Sequence, residues 1–197
     1  MNAATGAMPS QARLQPTPQQ ILGPYFPIQQ GPISAGDLTV VDGRAGRAKG
    51  DIIEVTGRIL NCDGVPVQGA RITVWQANSF GRYVHANDCS PAPLDENFAG
   101  FAQVVSDRQG AYHIITVKPG IYSAGSDRMR SPHIHFEVQG KFERLITQMY
   151  FPGEPLNASD RALRSASRSD LLIAKQLSLE ASNRLPVFQF DIVLRRG

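Results

Sequence analysis

The chain has 197 residues, 42% of them hydrophobic and 19% charged, with a formal net charge of +3; that is enough chain for one domain with a substantial core. No apolar run approaches the ~20 residues that a membrane helix requires, and the start, "MNAATGAMPSQARLQPTPQQ", lacks the basic and apolar regions of a secretory signal. The basic residues are scattered without interleaved aromatics, which argues against nucleic acid and is equally compatible with a small anionic ligand.

Residues 1–20, rich in Pro, Gln and Ala, read as an arm, mobile or draped over a partner; residues 21–197 read as a single domain. The 18 Gly and 14 Pro favour a β-rich fold over a helical bundle. "DIIEVTGRIL" (51–60) alternates as a strand, and "ARITVWQA" (70–77), rich in β-branched residues, is a second. Between 80 and 100 lies a long Pro/Asn/Asp loop, "FGRYVHANDCSPAPLDENFAG", of a length that is usually functional. "FAQVVS" and "AYHIITV" follow as strands, then the irregular "KPGIYSAGSDRMRSP". "HIHFEV" and "RLITQMYF" read as a strand pair, "SRSDLLIAKQLSLEA" as a Ser-capped helix, and "VFQFDIVL" as a closing strand. The expected fold is an all-β sandwich of mixed strands with long loops and one short helix in the C-terminal half. Cys62 and Cys89 form no C-x-x-C pair, which argues against a zinc or redox motif and fits two reduced thiols in the cytoplasm.

Half of the 4 histidines stand two apart in "RSPHIHFEV". In a strand, residues i and i+2 share a face about 6.6 Å apart. His133 and His135 therefore project together while Ile134 and Phe136 enter the core. Two such imidazoles can converge on one metal, although spacing alone leaves a pair of hydrogen-bonded surface histidines equally open. Neither a third His or Cys for zinc nor a carboxylate for Fe(II) is suggestively placed. Tyr83 and Tyr122, one in each irregular stretch, carry hard phenolic oxygens suited to Fe(III), although each taken singly reads rather as a buried, hydrogen-bonded aromatic.

The ordered run "GVPVQGARITVWQANSFGRY…ND…APLDENFAGF…SDRQGAYHIITVKPGIY…RSPHIHFEV…LITQMYFPGEP…FDIVLRRG" resembles the intradiol ring-cleaving dioxygenases, most of all the iron-bearing chain of the protocatechuate type. The resemblance covers roughly residues 50–197. It implies one non-haem Fe(III) per chain held by Tyr83, Tyr122, His133 and His135, with residues 21–197 as the catalytic domain. It also implies that Tyr122 dissociates and acts as base, that Arg130 stabilises negative charge on the substrate, and that Gln148 orients bound oxygen or a ligand. The reaction so implied is cleavage of a catechol by O₂ between its hydroxylated carbons to a cis,cis-muconate. Two tyrosinates and one hydroxide would neutralise Fe(III), so the centre can sit in a poorly hydrated interior.

Gly23, Pro24 and Tyr25 in "TPQQILGPYFP" match a stretch that, in the protocatechuate type, lines the substrate pocket from a partner chain. Here one chain carries both parts, so a homo-oligomer is expected, with a hetero-oligomer of homologous chains as the alternative. The stretch from Tyr122 to His133 is short, and "YSAG" stands where a tryptophan-bearing segment is expected, so the preferred ring substituent is open. A carboxylated catechol, protocatechuate (3,4-dihydroxybenzoate) or a relative, suits the positive charge, with Lys141 or Arg144 as candidate partners. Other catechols, chlorinated, alkylated, sulfonated or unsubstituted, remain alternatives inside the class. A non-catalytic partner subunit or binding β-sandwich is the alternative outside it.

Overall fold

β1 (Ile52–Asn61) alternates buried and partly exposed positions, and its inward residues Ile53, Val55 and Ile59 are almost wholly buried. The period of two places them on one face of a sheet. In the computed structural model, which describes residues 13–28, 36–125, 128–177 and 185–196, that sheet is one of two large layers. β1 pairs antiparallel with β4 (Ala111–Val117) on one side. On the other it pairs in parallel with β10 (Val187–Gln189) and then β11 (Ile192–Leu194), and β10 carries the edge strand β9 (Lys175–Leu177). The second layer has the order β3 (Phe101–Val105), β2 (Arg71–Trp75), β7 (His133–Gln139), β8 (Arg144–Tyr150), antiparallel throughout. A two-residue pair, β5 (Tyr122–Ser123) and β6 (Met129–Arg130), stands apart. Both layers contribute to one core: Ile53, Val55 and Ile114 from the first, Ile72, Val74 and Phe136 from the second.

The sandwich is the expected fold class, and the strands fall where alternation puts them, with two differences. The closing strand is broken at Phe190–Asp191. Phe190 N donates to Thr56 O, and Arg58 N donates to the Asp191 carboxylate in place of a backbone carbonyl. Gly57 permits this break, because a Cβ there would collide with the Phe190 carbonyl oxygen.

The second difference is the helix expected over "SRSDLLIAKQLSLEA". Its described part is a 3-10 turn, Ser169–Leu172, followed by β9; residues 178–181 lie outside the described residues. Leu172 is buried against Tyr150 and Leu163, Ala174 N donates to Tyr150 O, and residues 175–177 meet the open edge of β10. Unpaired strand edges offer backbone partners that outweigh a weak helical preference. The short helix of the C-terminal half is instead α1 (Arg161–Arg164), capped by Asp160.

The outer face of the second layer is covered as well. Residues 13–28 run over the body: Leu14 N donates to Cys62 O, Thr17 N to Val193 O, and Gln20 N to Ile146 O. Every residue of β7 from His133 to Val138 is therefore buried, on both faces. Among the described residues no helix is long and apolar enough to cross a membrane, and Cys62 and Cys89 are free thiols.

Candidate metal centre

β7 sends Ile134 and Phe136 into the core and His133 and His135 to the covered outer face. His135 lies opposite Trp75 on β2, and the two rings stack at 4.8 Å and 12°. His133 Nδ1 lies 2.6 Å from Ser131 O. A carbonyl only accepts, so Nδ1 carries the proton and Nε2 presents a bare lone pair. That lone pair faces His135 Nε2 at 3.2 Å and Tyr122 Oη at 3.4 Å.

Two loops bring the phenols. Asn78 organises the first, its side-chain oxygen accepting from Phe80 N and Arg82 N, and Asp88 accepts from Tyr83 N at 2.7 Å. The Tyr83 and Tyr122 rings meet edge to face at 5.4 Å, and Tyr83 lies 6.3 Å from His135. Tyr83 is 2% exposed, yet its hydroxyl makes no hydrogen bond of good geometry, meeting the Tyr122 phenol only poorly; His135 Nδ1 has no partner. Such orphans are rare in folded interiors, because each costs about 1–3 kcal/mol.

Burial raises the Tyr83 pKa well above the phenol value, reinforced by Tyr122. Burial also raises that of Tyr122, with the charge of Arg130 opposing. Both imidazoles are held below the usual histidine range, first by burial, then by Arg130 for His133 and by His133 for His135. Left to themselves the four groups are neutral, and the one bare lone pair of His133 Nε2 is approached by both His135 Nε2 and Tyr122 Oη. A cation among them would satisfy the Tyr83 oxygen and the two Nε2 atoms together, and would favour the ionised phenols that burial opposes. No group of three or more His, Cys, Asp or Glu able to hold a metal occurs among the described residues. The donor set is thus two imidazoles and two phenols, which fits hard Fe(III) and lacks the usual complement for zinc.

Arg130, paired with Tyr122 across β5 and β6, borders these donors. Its Nη1 lies 3.4 Å from Tyr122 Oη, Nη2 donates to Gln148 Oε1 and Tyr150 Oη, and Nε donates to Asp160 at 2.8 Å. Gln148 Nε2 donates to Ile21 O, which ties β8 to the covering segment. Within that segment Gly23 has φ +77°, and a Cβ on it would lie 3.1 Å from the His135 ring. Tyr25 packs 4.6 Å from Tyr83 and 6.4 Å from Tyr122, while Pro24 is exposed in the same turn.

The family model described as Dioxygenase matches residues 21–196. The chain belongs to the intradiol dioxygenases. Such an enzyme opens a catechol ring between its two hydroxylated carbons with O₂, and the family is iron-dependent. This dioxygenase is 39% identical over 191 residues to the protocatechuate 3,4-dioxygenase beta chain of Burkholderia cepacia, covering 91% of this chain and 81% of that one. It is 31% identical over 194 residues to the alpha chain of protocatechuate 3,4-dioxygenase from that organism, covering 91% and 92%. Among solved structures it is similar to the dioxygenase domain of a dioxygenase–carbohydrate-binding fusion from Streptomyces sp. SirexAA-E, with TM-score 0.71, 27% identity, and coverage of 93% and 100%.

In this dioxygenase Tyr83, Tyr122, His133, His135, Arg130, Gln148, Gly23 and Tyr25 lie together, with Pro24 in the adjoining turn. Lys141 and Arg144 lie elsewhere, at the far end of the β7–β8 hairpin. Gln139 pairs with Arg144 there, six positions from the His133–Tyr150 pair and so about 20 Å along the strands. Arg144 is moreover bound to Glu137. Sequence reasoning missed Asp160 and Tyr150. Tyr150 was detectable, since it shares a strand face with Gln148 two residues earlier. Asp160 gave no signal, because only the folded chain brings it to Arg130.

Proposed function

We propose that this dioxygenase holds one Fe(III) ion per chain on Tyr83, Tyr122, His133 and His135, and opens protocatechuate or a related substituted catechol to a cis,cis-muconate. The observation that carries the reading is the convergence of the buried, poorly satisfied Tyr83 hydroxyl and the Tyr122 phenol on two imidazoles whose Nε2 atoms face each other at 3.2 Å. Ferric iron, when bound, supplies a Lewis acid that makes a chelated diol reactive towards O₂.

The chain's own residues supply the rest. Tyr122 is partly exposed where Tyr83 is buried, so Tyr122 is the phenol placed to take a substrate proton at Oη, and both would hold the iron. Arg130, within 3.4 Å of that oxygen, stabilises negative charge developing beside it. Gln148 spends its oxygen on Arg130 and Tyr150 and its nitrogen on Ile21, so it orients Arg130 and the covering segment. Gly23, Pro24 and Tyr25 form a lid that limits water at the donors. This lid comes from the same chain, which supports an assembly of copies of one chain in which each contributes its own lid. Free Cys62 and Cys89 suit the reducing cytoplasm.

Purified protein tests the reading. It should be red-brown, carry one iron per chain by elemental analysis, and consume O₂ with 3,4-dihydroxybenzoate to give the ring-opened diacid. Colourless protein that contains zinc or no metal overturns it. For the assembly, light scattering should find a homo-oligomer active alone; an inactive chain that gains activity only with a second, homologous one overturns that part.

A further inference from the structure

A cleft of about 340 Å³ opens beside Arg130, between β6 and the start of α1. Its walls include the apolar Ile21, Met129 and Leu156, together with three arginines, Arg128, Arg130 and Arg161, and among the described residues no carboxylate lines it. A cavity of about 150 Å³ accepts benzene, so this one has room for part of a substituted ring. The small Ala124 stands in its wall and leaves the space open.

The three guanidinium groups are not equivalent. Arg130 is buried and committed to Asp160, Gln148 and Tyr150. Arg128 and Arg161 are exposed and have no ion pair among the described residues. Arg13, Arg44 and Arg168 at the surface, by contrast, meet carboxylates at 2.7–2.9 Å. Two guanidinium groups without an ion pair among the described residues thus flank an apolar cleft that includes Arg130, whose Nη1 lies 3.4 Å from Tyr122 Oη. An aromatic diol carrying an anion satisfies both halves of that description: ring on the apolar wall, anion on the planar donor forks.

We propose that Arg128 and Arg161 bind an anionic ring substituent, a carboxylate, and so set the preference of this dioxygenase for acidic catechols over neutral ones. The inference rests on the ring-cleaving reading above and assigns the selecting residues, which replace Lys141 and Arg144 in that role.

The test compares iron-loaded wild type with Arg128→Gln, Arg161→Gln, the double variant, and the remote control Arg168→Gln. The measured quantity is the ratio of kcat/KM for 3,4-dihydroxybenzoate to that for 4-methylcatechol. It should fall at least three-fold in each single variant and ten-fold or more in the double, and stay at the wild-type value in the control. Calorimetry should show 4-hydroxybenzoate binding weakened to a similar extent, with 4-methylphenol far less affected. An unchanged ratio in the double variant overturns the proposal, as does a wild type that prefers the neutral ring. A colourless, inactive wild type sinks the iron reading instead, and the calorimetric comparison still decides the cleft.

Discussion

Replacing Asp160 with Asn should destabilise the fold through chemistry that the shape of the side chain conceals. Asp160 is fully buried, and its oxygens only accept. Oδ2 takes Arg130 Nε at 2.8 Å and Ser131 N at 3.0 Å; Oδ1 takes Ala162 N at 2.9 Å and Leu163 N at 3.1 Å. Asn offers one acceptor oxygen and one NH₂ group, so one pair of donors must face a donor. The change also strips the counter-charge from a buried guanidinium. Breaking a buried ion pair from one side costs about 3–5 kcal/mol. At roughly 2–4 °C per kcal/mol for a chain of this size, Tm should fall by about 6–20 °C. The loss depends on pH. Burial by itself would raise the Asp160 pKa, but Arg130 and the Leu163 and Ser131 N–H groups overcome it and hold the carboxyl below its usual 3.8. Its stabilisation is therefore complete above that value and lost as pH falls through the lower folded value. Thermal unfolding of iron-free protein, followed by circular dichroism between pH 3 and 8, should show a wide gap between wild type and variant near neutrality. The gap should narrow below about pH 4. A variant within about 2 °C of wild type near neutrality, or a gap undiminished at the lowest pH, would refute the reasoning.

Tyr83→Phe should raise the Tm of iron-free protein by a few degrees, since a buried hydroxyl that is poorly satisfied costs up to about 1–3 kcal/mol, while abolishing iron retention and visible colour; a lowered Tm would mean that its contact with Tyr122 is a good hydrogen bond. Gly23→Ala imposes a left-handed backbone conformation costing about 1–2 kcal/mol and sets a methyl 3.1 Å from the His135 ring. It should weaken both the fold and iron retention, and unaltered Tm and iron content would contradict the close approach. On the proposed site, iron would have to expel the protons of Tyr83 and Tyr122, both held above the phenol range by burial. Apparent affinity in competition with citrate should therefore rise from pH 6 to pH 8, and pH-independent affinity would exclude phenolate ligation.

Most of the sandwich was legible because period-two alternation is a local signal: "DIIEVTGRIL" and "HIHFEV" each display which side chains face the core. The two histidines were legible for the same reason. What escaped depended on partners remote in the chain. Residues 175–177 became a strand because β10 presented an open edge, which no window around "SRSDLLIAKQLSLEA" contains. Asp160 acquired its role only when the turn before α1 folded against Arg130, thirty residues earlier. The arginines likewise read as scattered charges until folding paired some with carboxylates and left Arg128 and Arg161 beside a cleft. The tyrosines fell between these cases, since each was visible as a residue in a loop but only the resemblance joined the two to His133 and His135.

The antiparallel zipper of β7 with β8 also acts as proofreading. With side chains alternating at every step, a slip by one position would drive both imidazoles into the oily interior and turn Ile134 and Phe136 outward. A misassembled copy would then present no imidazole pair at all. On the proposed iron site, ion capture would therefore certify correct strand alignment, and a batch of material could be graded for folding by its colour.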